Sequence, residues 1–268
     1  MPTIRPPAVA GMFYPAEPVQ LAQDVQQLLD GARPHDLAAK ALIVPHAGYI
    51  YSGAIAATAY ASLAPIAARI RRVVLLGPTH RVAVRGLALP GVEAFATPLG
   101  RVMLDTASAQ AIAHLPQVSV STRAHELEHS LEVQMPFLQS VLGDFTLLPL
   151  AVGMATPEEV AEVLEVVWGG AETLLVISSD LSHFLPYAAA QRVDNATVQS
   201  ILKLHQPVTH EQACGGTPIN GLIIAARQHH LTPHLLDLRN SGDTAGTRDS
   251  VVGYCAFAFT QEENHVRH

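Results

Sequence analysis

The chain has 268 residues, 49% of them hydrophobic and 15% charged, with a formal net charge of −7. That length and apolar content support a sizeable buried core and exclude intrinsic disorder, a collagen-type repeat and a coiled coil. Basic residues are scattered, with only Arg69, Arg71 and Arg72 close together, so the basic face of a nucleic-acid binder is missing.

Residues 1–18 are Pro-rich and aperiodic and read as a segment draped over a single domain spanning 1–268. Apolar residues take helical spacing from Val19 to Leu29, with Pro18 suited to a first helical position. Ala41–Val44 is a short apolar run, the mark of a buried strand. From Ala41 to Ala68 there are 28 residues without a formal charge, long enough to span a bilayer. Pro45, Gly48, Gly53 and Pro65 interrupt the stretch, so it reads instead as strand, turn and helix, with Ser52 capping a helix that runs to Leu63.

Val73–Leu76 is a second buried strand. Residues 86–104 read as short strands around a turn at Pro98-Leu99-Gly100. Thr106–Ala113 is a helix. Glu128 to Leu142 reads as a longer helix with Leu131, Met135, Leu138 and Leu142 on one face and a kink at Pro136. Phe145–Val152 and Leu174–Ile177 are strands, and Pro157–Val167, Ala188–Leu204 and Pro218–His229 are helices. Strands at Leu235–Leu238 and Val251–Phe259 close the chain before a polar tail, 261–268. Short apolar strands alternating with helices predict an α/β fold: a central mixed, mostly parallel sheet flanked by helices. The N-terminus lacks the pattern of a signal peptide. The two cysteines make no disulfide framework. Both features point to a soluble cytoplasmic protein that binds neither membrane nor nucleic acid.

Fourteen histidines is a high count for this length. Three share one placement: His46, His80 and His183 each follow a predicted buried strand within a few residues. Ligand sites in open α/β sheets form at the carboxyl ends of strands. Three strands therefore deliver imidazoles to one edge, with Asp180 beside His183. Glu126, Glu128, His129 and Glu132 form a second polar cluster. On a helix His125 and His129 lie one turn apart, the spacing of a zinc-binding pair, although the order of a zinc protease is absent. A solvated helix start accounts for the same residues. Cys214 precedes a predicted helix, where amide dipoles favour a thiolate; Cys255 reads as core. Asn240-Ser241-Gly242-Asp243 is either a pocket lining or a plain turn. His114, His205, His210, His229, His230 and His234 read as structural or surface residues.

Taken in order, Pro45-His46-Ala47-Gly48-Tyr49, Leu76-Gly77-Pro78-Thr79-His80, Glu128-His129-Ser130-Leu131-Glu132, Ser178-Ser179-Asp180-Leu181-Ser182-His183, Cys214-Gly215-Gly216 and Ser241-Gly242-Asp243 with Ser250-Val251-Val252-Gly253-Tyr254 resemble the Memo family. The resemblance implies a fold similar to class III extradiol dioxygenases. It implies His46, His80 and Cys214 as metal ligands, with His183, Asp180 and His129 as the catalytic groups around them. It also implies an iron or copper cofactor (zinc is a third fit), redox chemistry on an unknown small-molecule or peptide ligand, and AMMECR-type and radical-SAM protein partners. Cys214 stands where the dioxygenases complete their iron site with a carboxylate. Two other readings use the same residues: a metal-independent hydrolase or transferase with Cys214 as nucleophile, and a non-catalytic binding partner of a radical-SAM system.

Overall fold

A computed structural model describes residues 3–261. Its central sheet is built from β2 (Ala39–Val44), β3 (Arg72–Pro78), β4 (Leu87–Leu89), β7 (Val118–Val120), β8 (Thr146–Val152), β9 (Thr173–Ser178), β10 (His183–Leu185), β11 (Leu231–Asn240) and β12 (Val251–Gln261). The order is β10-β12-β2-β9-β3-β8-β4-β7, with β11 also paired to β12. β2, β9, β3 and β8 run parallel. β12 is antiparallel to β2, β10 and β11. A second, three-stranded sheet joins β1 (Ile4–Arg5), β5 (Ala94–Thr97) and β6 (Gly100–Met103). The β5–β6 hairpin closes through the turn at residues 98 and 99 expected from sequence.

Side-chain alternation along the parallel strands sorts the core into two layers. Leu42, Val44, Val73, Leu75, Leu174 and Val176 face one layer, against α1 (Pro18–Gly31), α2 (Ala54–Ala61) and α5 (Met135–Val141). Ile43, Val74, Leu76, Leu148, Leu175 and Ile177 face the other, against α3 (Thr106–Ile112), α6 (Pro157–Val166), α7 (Tyr187–Leu202) and α8 (Gly216–Gln228). Each fully buried side chain of this size contributes about 1.5–3 kcal/mol. Coverage on both faces is why these strands read as continuous apolar runs.

Three local expectations are corrected. The helix from Glu128 to Leu142 does not form: α4 (Thr122–Glu126) ends before it, a turn carries 128–131, and a 3-10 turn (Glu132–Gln134) leads into α5. Pro136 sits in the first turn of α5, where its missing N–H costs nothing, and makes no kink. Ser52 does not cap α2; a single π turn (Tyr49–Gly53) precedes that helix, and Ser52 Oγ donates to the Ala47 carbonyl. β7, α4 and β10 had no clear sequence signal. Of the polar tail, only Gln261 is described, as the last residue of β12; the rest lies outside the described residues.

The N-terminal segment is draped as expected, and Glu132 fastens it. The Glu132 carboxylate accepts from Arg5 Nη1 at 2.6 Å, the Ala8 and Val9 amides at 2.8 and 3.0 Å, and the Tyr14 hydroxyl at 2.6 Å. Arg5 also donates to the carbonyls of His125 and Glu128, each at 2.6 Å. The segment thereby holds the 125–132 stretch and brings Phe13 to 4.7 Å from the His129 ring. Among the described residues, no helix is long and apolar enough to cross a membrane.

Candidate metal centre

β2, β3 and β9 end at the same edge of the sheet, because they are parallel and in register. The chain leaves β2 into Pro45-His46, β3 into Thr79-His80, and β9 into Ser179-Asp180. His129 arrives from the turn after α4, and Cys214 from the loop before α8. Two glycines allow these loops to close up. A Cβ at Gly77 would lie 2.8 Å from Ser130 Oγ, and one at Gly215 would lie 2.6 Å from Ser179 Cβ.

The imidazoles of His46, His80 and His129 converge, each offering one ring nitrogen within 4.8 Å of the other two. Ring centroids lie 5.2 Å apart for His46–His80, 5.3 Å for His46–His129 and 4.6 Å for His80–His129. The surrounding hydrogen bonds set the tautomers. Ser178 Oγ gives its proton to the Ser130 carbonyl at 2.6 Å and accepts from Gln134 Nε2 at 2.8 Å. The 2.9 Å contact between Ser178 Oγ and His46 Nδ1 therefore carries the imidazole proton, which leaves His46 Nε2 bare. Glu128 Oε1 accepts from His80 Nδ1 at 2.8 Å, so Nε2 is the ring nitrogen His80 has left to offer. Glu128 also takes the backbone N–H groups of His80, His129 and Ser130 at 2.6, 3.0 and 3.0 Å. Burial works against this carboxylate, yet the His80 and backbone hydrogen bonds hold its pKa down at about 2.

Burial pushes the His46 pKa well below the ordinary value, and the neighbouring His129 and His80 add to the effect. His129 is held down at about 4, chiefly by burial. His46 and His129 are thus kept neutral, the state in which histidine binds metal. Cys214 Sγ lies 3.4 Å from the bare His46 Nε2, so the thiol donates to it. Burial, then the nearby Asp180, push the Cys214 pKa up to about 12.

Asp180 is buried, and burial raises its carboxyl to about 7. Oδ1 accepts the His46 backbone N–H at 2.7 Å. The Asp180 amide faces Cys214 Sγ at 3.3 Å, and its carbonyl accepts the Cys214 amide at 3.2 Å. Asp180 therefore positions the main chain of His46 and Cys214 rather than the His183 ring. His183 opens β10, half-buried, with its pKa lowered by burial. Phe184 beside it adopts φ 59° at a bulge between β10 and β12, with its ring 75% exposed.

The His125–His129 pair does not form. α4 ends between the two residues, and His125 is buried with Nε2 donating to the Ala88 carbonyl at 2.7 Å. Glu128 and Glu132 are buried at 2% and 1% exposure, not a solvated helix start. The 240–243 segment forms a capped 3-10 turn beside Tyr187, a structural role. Cys255 is core, as expected. Sequence reasoning missed Gln134, fully buried, which ties the ends of β2 and β9 together through Pro45 O and Ser178 Oγ. A glutamine within an apolar stretch gave no signal.

Burial holds the His125 pKa at about 4, below the ordinary 6.5. The unfolded chain then takes up this proton first. The contribution is complete above pH 6.5 and is lost as pH falls toward 4. His125→Gln, whose amide can still reach the Ala88 carbonyl, is expected to reduce the loss of melting temperature between neutral pH and that value. An acid sensitivity equal to the wild type's would contradict this assignment.

A family model described as Memo-like protein matches residues 5–258. The chain belongs to the Memo-like protein family. Proteins described as MEMO1 family protein are 36% identical in Sulfolobus acidocaldarius and 35% identical in Aquifex aeolicus, each match covering 96% of this chain and 99% of the relative. One from Methanosarcina barkeri is 34% identical over 94% of this chain and 98% of its own length. Among solved structures, an uncharacterized protein from Escherichia coli K12 superposes with a TM-score of 0.50 at 16% identity, covering 80% of this chain and 98% of the other. That likeness concerns the fold alone, and it agrees with the mixed α/β architecture.

Proposed function

We propose that the protein is a cytoplasmic, metal-dependent redox protein whose centre is held by His46 and His80 together with Cys214 and His129. The observation that carries the proposal is the convergence of the His46, His80 and His129 ring nitrogens within 4.8 Å, with Cys214 Sγ 3.4 Å from His46 Nε2. The donor set fits a transition metal. Imidazole and thiolate together suit iron, copper or zinc. Two of the three imidazoles have their second nitrogen engaged by Ser178 or Glu128, the outer support that metal-bound histidines use. A bound iron or copper would supply one-electron chemistry at the carboxyl edge of the sheet.

The protein's own groups have separable parts in this. Glu128 and Ser178 orient His80 and His46. Asp180 fixes the backbone of His46 and the approach of Cys214. The proton shared between Cys214 Sγ and His46 Nε2 lies between two donor atoms, so a cation that replaces it meets both. Binding then releases that proton, and affinity rises with pH. His183, half-buried at the start of β10, supplies an imidazole to accept a proton from a ligand.

Burial raises the Cys214 pKa, which disfavours the free thiolate a metal-independent nucleophile needs, whereas a bound cation would itself stabilise the thiolate. Titration of the metal-free protein with Co(II), followed by absorption, tests the ligand set. The expected spectrum contains a thiolate-to-cobalt charge-transfer band that disappears in Cys214→Ser while the histidine-bound cobalt remains. A wild-type spectrum with no such band would remove Cys214 from the set.

A further inference from the structure

We propose that Tyr60 and Gln134 are positioning residues for His46, which fix the tautomer of its ring through a buried chain of hydrogen bonds. Metal affinity is one readout and rests on the metal reading; the tautomer is read in metal-free protein and does not. The chain begins on α2. The Tyr60 hydroxyl donates to Gln134 Oε1 at 2.9 Å. Gln134 Nε2 donates to the Pro45 carbonyl and to Ser178 Oγ, each at 2.8 Å. Ser178 Oγ in turn accepts the His46 Nδ1 proton at 2.9 Å. Tyr60, Gln134 and Ser178 are all fully buried. In such an interior the bonds of a satisfied network reinforce one another.

The direction of each bond is forced. A carbonyl only accepts, so the Pro45 oxygen settles which end of the Gln134 amide is the NH2 group. Oε1 then faces Tyr60, whose hydroxyl must donate. Burial keeps that phenol protonated by pushing its pKa well above the ordinary value. Ser178 Oγ has one proton and two lone pairs. The proton goes to the Ser130 carbonyl, one lone pair takes the Gln134 N–H, and the other is left for the imidazole. One amide therefore grips His46 twice: at the peptide that precedes it, and at the group that takes its ring proton. β2 and β9 pair in register as far as Val44 and Ser178, so Gln134 ties the chain one step beyond that ladder. Which ring nitrogen of a histidine is free is set by the bond the other makes. Without the Gln134 N–H, Ser178 loses one of its partners and its hydroxyl is free to turn toward Nδ1. The ring proton then exchanges to Nε2, where Cys214 Sγ lies 3.4 Å away. Tyr60 acts one step further back. Its ring stacks on Phe137, centroids 5.2 Å apart at 9°, which aims the hydroxyl at Gln134.

Long-range proton–nitrogen NMR on metal-free protein, with histidine labelled at both ring nitrogens, reads the tautomers. His46 is assigned by the signal lost in His46→Gln. The wild type is expected to show one His46 species, protonated at Nδ1. Gln134→Met and Tyr60→Phe are each expected to add a second species, protonated at Nε2. Co(II) affinity is expected to fall about 10–100-fold in Gln134→Met and by a smaller factor in Tyr60→Phe. Tyr60→Phe removes a single oxygen atom and keeps the test open should Gln134→Met fail to fold. The double variant Tyr60→Phe/Gln134→Met separates positioning from packing. It removes both partners of a buried bond, so it is expected to melt above Gln134→Met while the His46 tautomers stay mixed. Three results would each overturn the proposal: a wild-type His46 protonated at Nε2, an unchanged His46 in both single variants, or a tautomer that recovers with stability in the double variant. Tautomers that shift as expected in a protein that takes up no cobalt would sink the metal reading and leave both positioning roles standing.

Discussion

Glu132→Ala is expected to lower the unfolding free energy by about 3–5 kcal/mol, because it leaves the Arg5 guanidinium buried without a partner charge. For a chain of this size that corresponds to roughly 10 °C in melting temperature. Arg5 and Glu132 are 5% and 1% exposed, and their 2.6 Å contact is one of four hydrogen bonds on the same carboxylate. The loss therefore strands the Ala8 and Val9 amides and the Tyr14 hydroxyl as well. The double variant Arg5→Met/Glu132→Leu is expected to recover much of the stability, since an apolar pair removes the desolvation cost. Thermal melts decide the matter. A Glu132→Ala protein within about 1 kcal/mol of the wild type would show that the N-terminal segment is held by other contacts.

Glu128→Ala is expected to weaken metal binding about 10–100-fold, the usual cost of losing a carboxylate that orients a histidine ligand. Glu128 touches His80 through both its ring and its backbone, and it takes the His129 amide. Without it, His80 Nδ1 has no acceptor, the ring is free to exchange tautomers, and the turn carrying His129 loses its anchor. Glu128→Gln is expected to fall between the two, because an amide keeps one acceptor oxygen. Competition titrations against a chromophoric chelator measure the affinities. Equal affinities in wild type and Glu128→Ala would mean that His80 and His129 are not ligands.

The sheet and the three strand-end placements were legible because burial on both faces leaves apolar runs that need no partner to be recognised. His46 and His80 followed from that pattern. His183 was expected beside them; it opens β10, and the third imidazole of the group is His129. The region 122–141 was not legible. Apolar residues at helical spacing there reflect packing of a turn, a 3-10 segment and a short helix against the core, and periodicity cannot separate these from one helix. The same error hid the burial of Glu128 and Glu132. Their partners, His80 and Arg5, lie 48 and 127 residues away in sequence. His210, read as a surface residue, is exposed, and its ring meets the Cys214 carbonyl and the Thr217 hydroxyl.

Metal content, measured by elemental mass spectrometry on tag-free protein purified without oxygen, tests the central claim most directly. The comparison is His46→Ala/His80→Ala/Cys214→Ser, which removes the donors and leaves the sheet intact. Iron or copper near one equivalent in the wild type and none in the variant is the expected result. Equal metal in both proteins, or none in the wild type after reconstitution with each ion, would contradict it.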